Sequence, residues 1–255
     1  MPEHPALSVS IVTHNSADVI GTLLTSLFEH TAAPLSVYVV DNGSTDDTVA
    51  RVKASFPDVT VLTQDNLGFG AGHNAVLDRL TSTYHAVINP DIVLREDTLS
   101  ALCTFLDEHS DVVMATPLIQ NPDGSPQYVP RRAPKRRYLL SRKLERFGGV
   151  FRRWRDEYTM RNAPLDAPIE ITFCTGCFFI IRTDLFKQLG GFDERFFLYC
   201  EDADLTRRAL GYGRAVCLPQ TGVIHGWERG SAQSLHLLRI HLSSFHKYNR
   251  KWRKG

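Results

Sequence analysis

The stretch that decides the fold is Ser8-Val9-Ser10-Ile11-Val12-Thr13-His14-Asn15, taken with its counterpart Ser36-Val37-Tyr38-Val39-Val40-Asp41-Asn42-Gly43-Ser44. Each is a β-branched run that stops on polar, turn-forming residues, the pattern of a buried strand. Between them Ile20, Leu23, Leu24 and Leu27 share one face of a helical pattern that Ser16 or Asp18 can cap. The alternation continues: a helix over 45–54, a strand over 59–62, a helix over 72–80 and a strand over 84–88. A helix over 97–108 and a strand over 112–115 follow. Strands and helices joined by short links predict an α/β fold with a doubly wound, mainly parallel sheet. Such sheets take ligands at the carboxyl ends of their strands. His14-Asn15, Asp41-Asn42 and Asn89-Pro90-Asp91 each follow a strand directly, so three strand ends deliver polar groups to one edge.

The rhythm breaks over 121–167, which is rich in proline, lysine and arginine. A strand over 173–182 and a short helix over 184–189 restore it. Next come a helix over 201–210, a strand over 214–218 and a basic amphipathic helix over 234–252. A chain of 255 residues is long enough for one large core. A net charge of +1 exerts no global pull on polyanions, and five cysteines cannot all pair within one chain, which fits a reducing compartment. Met1-Pro2-Glu3-His4-Pro5 does not read as a secretory signal, and the apolar run 173–181 is too short to cross a bilayer. The expectation is a cytoplasmic protein, at most peripheral on a membrane surface.

Several residues can carry chemistry, each with a plainer alternative. Asp91 offers a carboxylate suited to Mg2+ or Mn2+ beside phosphates, although Asn-Pro-Asp is also common turn chemistry. Glu201-Asp202-Ala203-Asp204 is a dense acidic cluster; acids also favour a first helical turn, and Asp204 with Arg208 could be a surface pair. Asn66-Leu67-Gly68-Phe69-Gly70-Ala71-Gly72-His73-Asn74 sets three glycines before a helix, where backbone could approach a phosphate or nucleoside. It is not a dinucleotide fingerprint, because His73 stands in the third glycine's place, and a tight turn explains it as well. Cys174 and Cys177 read as small buried side chains rather than a metal or redox pair. His225 can ligate a metal, contact a phosphate or be structural.

Taken in order, these motifs resemble the inverting family 2 glycosyltransferases of GT-A fold. The resemblance runs from Ser8 to Ser231. It covers the two opening runs, the 66–74 loop, Ile88-Asn89-Pro90-Asp91, Gly190-Gly191-Phe192-Asp193-Glu194, Phe197–Leu205, and His225 with Ser231. The loop and the Asn-Pro-Asp form are similar to the rhamnosyltransferase branch, whose donor is dTDP-L-rhamnose. The resemblance implies a GT-A (Rossmann-like) sheet flanked by helices, with a basic acceptor-side insertion and a C-terminal helical segment. It implies one domain over 1–255: a nucleotide-sugar-binding half (1–117) and an acceptor and catalytic-base half (118–255) holding the basic segment 131–155.

The resemblance also implies roles. Asp41 contacts the nucleotide base, with Thr13 and Asn15 in the same pocket. Asn66, Gly68, Asn74 and Glu201 help to bind the nucleotide sugar. Asn89 and Asp91 occupy the places of the family's D-x-D acids; Asp91 binds a divalent cation, Mg2+ or Mn2+, with His225 near it. Asp202 is the base that takes the acceptor's proton in a single inverting displacement. Asn89 departs from the acidic pattern and removes one charge from the cation site. The implied setting is cell-surface polysaccharide assembly.

Eleven lysines and arginines lie between Arg131 and Arg155, interleaved with Tyr138, Leu139, Leu140, Leu144, Phe147, Val150, Phe151 and Trp154. Such a stretch can lie on an anionic membrane, which suits a polyprenyl-pyrophosphate-linked or other glycan acceptor at the inner face. A solvated loop closing over the donor is the alternative. No recognition motif accompanies the charge, so nucleic acid is not the expected partner. A sugar-nucleotide pyrophosphorylase would want a basic glycine-rich loop after the first strand, where Thr13-His14-Asn15-Ser16 stands. A non-catalytic nucleotide-sugar-binding protein would not need Asp41, Asp91 and Asp202 together.

Overall fold

A computed structural model describes residues 6–129, 131–226 and 235–253, excepting the side chains of Arg142 and Lys143. Ser231, Trp227, Ser234, Lys254 and the opening Met1–Pro5 stretch lie outside the described residues. The first half runs β1 (Leu7–Thr13), α1 (Ile20–Glu29), β2 (Leu35–Asn42), α2 (Thr48–Ser55), β3 (Thr60–Gln64) and α3 (Phe69–Asn74). It continues through β4 (Tyr84–Ile88), β5 (Ile92–Leu94), α4 (Thr98–Glu108) and β6 (Val112–Gln120). The second half holds α5 (Arg136–Leu144), α6 (Gly149–Thr159), β7 (Ile169–Ile171), β8 (Phe178–Arg182), α7 (Thr183–Gln188), α8 (Glu201–Ala209), β9 (Arg214–His225) and α9 (Leu235–Lys251).

β1 shows why these residues build a two-faced sheet. Leu7, Val9 and Ile11 alternate onto one face and pack with Ile20, Leu23, Leu24 and Leu27 of α1 and Leu99, Leu102 and Leu106 of α4. Val12 joins the opposite face with Val40, Val87, Phe179 and Leu205. Burial on both faces explains the near-continuous apolar strands, and each such side chain contributes about 1.5–3 kcal/mol. Ser8 and Ser10, also buried, spend their hydroxyls in a polar chain: Ser82 to Ser8 at 2.7 Å, Ser8 to His85 at 2.8 Å, His85 to Ser10 at 2.9 Å and Ser10 to His73 at 2.7 Å. Burial lowers the pKa of both histidines, so both rings are neutral links in that chain.

The sheet order is β3-β2-β1-β4-β8-β6-β9-β5, with β7 pairing β9. β3, β2, β1 and β4 are parallel, as expected. Beyond β4 the sheet is mixed: β8 is antiparallel to β4 and β6, β9 is parallel to β6, and β5 and β7 are antiparallel to β9. The register fixes the site. Thr13 lies opposite Asp41, Ile88 opposite Phe178, and Gln120 opposite Ile224. The ends of β1, β2, β4, β6 and β9 and the start of β8 therefore share one edge.

Several sequence expectations change. The strand over 173–182 starts only at Phe178, leaving Cys174 and Cys177 in the preceding loop. The helix over 72–80 is instead α3 plus a 3-10 turn at Leu77–Arg79, so Gly70 and Gly72 lie inside a helix rather than before one. The reason is packing: a Cβ on Gly70 would come within 2.7 Å of Phe192, and one on Gly72 within 2.7 Å of Val12. Neither Ser16 nor Asp18 caps α1 by its side chain, whereas Asp97 caps α4 by accepting from the Ser100 amide at 3.1 Å. The basic segment is not a loop but the helices α5 and α6, joined by stacked Tyr138 and Tyr158 at 4.6 Å.

Candidate active site

At the end of β1, Thr13 donates its hydroxyl to Asp41 at 2.9 Å; both are buried. Asp41 also accepts from the Ser44 amide at 2.9 Å and from the Ser44 hydroxyl. Asn15 adopts a left-handed backbone (φ 53°) and accepts from the Thr45 amide at 2.8 Å. These bonds hold the β1 and β2 exits together as one rigid lip. Carboxylate oxygens have further lone pairs, so Asp41 keeps acceptor capacity at that lip.

The 66–74 segment is fastened to the opposite side. Asn66 accepts from the Gly68 amide at 3.2 Å, and Asn42 donates to the Gly68 carbonyl at 3.0 Å. Gly68 has φ 104° and lies so close to Phe197 that a Cβ would sit 2.3 Å from its carbonyl oxygen; the Phe69 amide donates to that oxygen at 2.9 Å. Asn74 clamps the 190–194 turn, donating to Phe192 O and Glu194 at 2.9 Å each and accepting from the Phe192 amide at 2.8 Å. Gly68 and Asn74 thus use their chemistry inside the protein, joining the two sides of the cleft.

The acidic cluster divides by environment. Tyr199 and Cys200 are consecutive non-glycine residues with φ 71° and 69°, a strained approach that presents Glu201-Asp202 at the first turn of α8. Asp202, half-buried, accepts from the Gly176 amide at 2.9 Å and the Ala203 amide at 2.8 Å. Burial raises its pKa to about 6, and those amides hold the rise in check. Glu201 is buried, one of its carboxyl oxygens has no partner, and burial followed by the neighbouring Asp202 charge pushes its pKa well up. Both side chains accept from backbone amides, but Glu201 alone carries the added upward push of its neighbour's charge, so Asp202 is the member that more readily ionises. Asp204 is neither surface-exposed nor part of this pair. It is fully buried and accepts from Arg208 at 2.9 Å, Lys251 at 2.8 Å and the Trp252 indole at 2.9 Å, fixing α9.

Asn89 and Asp91 lie in the β4–β5 turn. The Asn89 amide donates to Cys177 O at 2.9 Å, and the Gly226 amide donates to Asp91 O at 3.0 Å. The Asp91 carboxylate is 3.3 Å from His225 Nε2. Cys177 ties the two acidic centres together: burial raises its thiol pKa to about 12, and the charges of Asp91 and Asp202 both add to the rise. The Gly176 amide bonded to Asp202 and the Cys177 carbonyl bonded to the Asn89 amide are consecutive in the chain, which brings the two acidic segments to one edge of the sheet. α6 is tied to the loop that leads to Gly176: Tyr158 O accepts from the Arg131 amide at 3.1 Å, and Arg131 O accepts from the Thr172 amide at 2.9 Å.

Asp91 and His225 fit a divalent cation. Two donors bound cis to one octahedral ion with bonds of about 2.1 Å lie about 3 Å apart, close to the 3.3 Å seen. Among the described residues no group of three or more His, Cys, Asp or Glu side chains converges, so two protein donors would leave most positions to phosphates and water, as Mg2+ and Mn2+ allow. Sequence reading missed Gly176, whose amide holds Asp202, and Gln127, which grips His225. Neither belongs to a pattern, since each is placed by tertiary structure.

The family described as "Glycosyl transferase family 2" matches residues 8–190. The N-acetylglucosaminyl-diphospho-decaprenol L-rhamnosyltransferase of Mycobacterium tuberculosis is 30% identical over 94% of this chain and 82% of its own length. Rhamnosyltransferase WbbL of Escherichia coli is 23% identical over 85% of this chain and 82% of its own. In structure, the chain is similar to S. aureus TarS 1-349 in complex with UDP (TM-score 0.62, 20% identity, 93% of this chain and 64% of that one). It is likewise similar to a Pyrobaculum calidifontis mannosyltransferase in complex with GDP-Man and Mn2+ (TM-score 0.63, 20% identity, 100% and 66%). The chain thus spans about two thirds of those two solved chains, and it shares their GT-A fold.

Proposed function

Because this chain belongs to glycosyl transferase family 2, we propose that it transfers L-rhamnose, with inversion, from dTDP-L-rhamnose to a hydroxyl of a polyprenyl-pyrophosphate-linked glycan. The observation that carries the reading is the pairing of Asp202, ionised and held by two backbone amides, with Asp91 and His225 on one edge of the sheet. The name of the mycobacterial relative, an L-rhamnosyltransferase acting on N-acetylglucosaminyl-diphospho-decaprenol, supports the choice of substrates.

The acceptor hydroxyl is placed against Asp202, which takes its proton as the oxygen attacks the anomeric carbon from the face opposite the leaving diphosphate. A pKa near 6 leaves Asp202 mostly ionised at neutral pH yet more basic than a surface aspartate. The upward push on Glu201 favours its neutral form, which limits the negative charge beside the base. Asp91 and His225 would hold Mg2+ or Mn2+, which when bound supplies positive charge for the departing diphosphate. The lip of Thr13, Asn15 and Asp41 receives the base and ribose, with Asn89 beside them. Asn66, Gly68 and Asn74 act at one remove, by holding the donor side against the 192–202 segment. Positioning both substrates supplies much of the remaining rate.

The surface of α5 and α6 supports a place of action at an anionic membrane. No described helix is long and apolar enough to cross a membrane. Leu140, Phe147 and Val150 are exposed among exposed Arg136, Arg146, Arg152 and Arg153, a surface that suits an anionic bilayer bearing the lipid-linked acceptor.

A thermal-shift comparison tests the donor. A ligand at about 100 times its Kd adds about 2.7 kcal/mol, several degrees for a chain of this size. dTDP-rhamnose with Mn2+ is expected to outrank UDP- and GDP-sugars. A larger shift from a UDP- or GDP-sugar would replace the donor, and binding to anionic liposomes at low salt that vanishes in Phe147→Ser checks the surface.

A further inference from the structure

Gln127 sits after β6, where the Asn121–Ser125 turn folds the chain back. The Asn121 amide donates to Ser125 O at 2.8 Å and the Gln127 amide to Ile119 O at 2.8 Å. The residue is buried. Its side chain meets His225 twice: Nε2 donates to the His225 carbonyl at 2.8 Å, and Oε1 lies 3.2 Å from His225 Nδ1. The two contacts fix each other. A backbone carbonyl only accepts, so the amide nitrogen must face it, which leaves the amide oxygen at Nδ1. An amide oxygen also only accepts, so Nδ1 must carry a hydrogen. The remaining ring nitrogen, Nε2, is the one turned to the Asp91 carboxylate at 3.3 Å.

We propose that Gln127 is a positioning residue that holds His225 in its Nδ1–H tautomer, so that the Nε2 lone pair and the Asp91 carboxylate point at a common cation. It acts through His225 and does not touch substrate. The backbone reinforces it: Ile92 pairs with His225 across β5 and β9, and Gly226 N bonds Asp91 O, so ring and carboxylate cannot drift apart. Partners of this kind fix ring orientation in metal sites, and their loss weakens metal binding by about 10- to 100-fold. The inference rests on the reading of Asp91 and His225 as cation donors, but not on the choice of sugar or nucleotide.

The experiment uses the full chain labelled with 15N-histidine, with no nucleotide or sugar present. Long-range 1H–15N spectra report the tautomer of each ring, and His225→Asn identifies the signals of His225. In the wild type, His225 is expected to show the Nδ1–H pattern. Gln127→Met, close in size but unable to accept, is expected to lose that pattern and to bind Mn2+ about 10- to 100-fold more weakly by electron paramagnetic resonance titration. Gln127→Glu, which restores an acceptor at Nδ1, is expected to recover both. A folded Gln127→Met with the wild-type tautomer and Mn2+ affinity overturns the proposal. Should Gln127→Met fail to fold, Gln127→Glu decides: an Nε2–H ring in that variant overturns it, and an Nδ1–H ring upholds it. An Nδ1–H ring in a wild-type chain that binds no Mn2+ would sink the cation reading while leaving the tautomer assignment intact.

Discussion

Replacing Asp202 by Asn separates catalysis from stability, and the structure gives the size of both effects. The substitution keeps the shape of the side chain and removes its proton-accepting charge. General bases contribute about 10²–10⁴ in rate, or about 3–5 kcal/mol of barrier, so transfer should fall by that factor. Folding should hardly change. Asp202 has its pKa raised from 3.8 to about 6, so the native protein binds more protons than the unfolded chain between those values. Stability therefore declines as pH rises through that window, and at neutral pH the ionised group costs about 3 kcal/mol. Asn removes that cost but can satisfy only one of the two amides now bonded to Asp202, and an unsatisfied donor costs about 1–3 kcal/mol. The two changes nearly cancel. The assay is single-turnover transfer from dTDP-rhamnose to a lipid-linked acceptor analogue, with melting temperature and donor binding measured on the same samples. In the wild type, kcat/KM should drop as pH falls below about 6. Wild-type turnover in Asp202→Asn, or a flat profile from pH 5 to 7, would refute the assignment of the base.

Asp91→Asn should weaken Mn2+ binding, measured by isothermal titration, by about tenfold or more while leaving the fold intact, because one of two protein donors loses its charge. EDTA should reduce wild-type transfer, and full activity in metal-free buffer would count against a cation. Gly68→Ala should destabilise the protein by about 1–3 kcal/mol, read as a fall in melting temperature, because the new Cβ would meet Phe197 O at 2.3 Å with φ at 104°. Asp204→Asn should cost about 3–5 kcal/mol and speed hydrogen exchange in α9, since Arg208 and Lys251 lose a fully buried counter-charge.

Where strand pattern and chemistry coincide in sequence, the architecture was readable. β1, β2 and β4 announce themselves as apolar runs ending in polar residues, and Asp41, Asp91 and Asp202 stand in recognisable order. β5 and β7 did not, because each has three residues and exists only by pairing with β9. The full length of β9 was hidden by Pro219-Gln220-Thr221-Gly222, which reads as a stop but forms a bulge opposite Pro117 and Leu118. α5 and α6 were masked by their charge, since their packing rests on a few aromatic rings rather than an apolar stripe. The glycines of the 66–74 segment looked like a phosphate cradle, yet Gly70 and Gly72 are small because Phe192 and Val12 leave no room. Gly176 and Gln127 act through a backbone amide and a reoriented side chain, which no spacing encodes.

The strand order carries one more consequence. β8 and β9 slot between strands of the earlier half, β8 beside β4 and β9 beside β5. A fragment ending near residue 117 would strip β8 from one side of β4 and leave β5 without its partner β9, displaying bare strand edges, an invitation to aggregate. The lip formed by the β1 and β2 exits therefore cannot be lifted out as a small stand-alone sensor or affinity tag. Whoever wishes to re-engineer donor choice must work by point substitution within the intact chain.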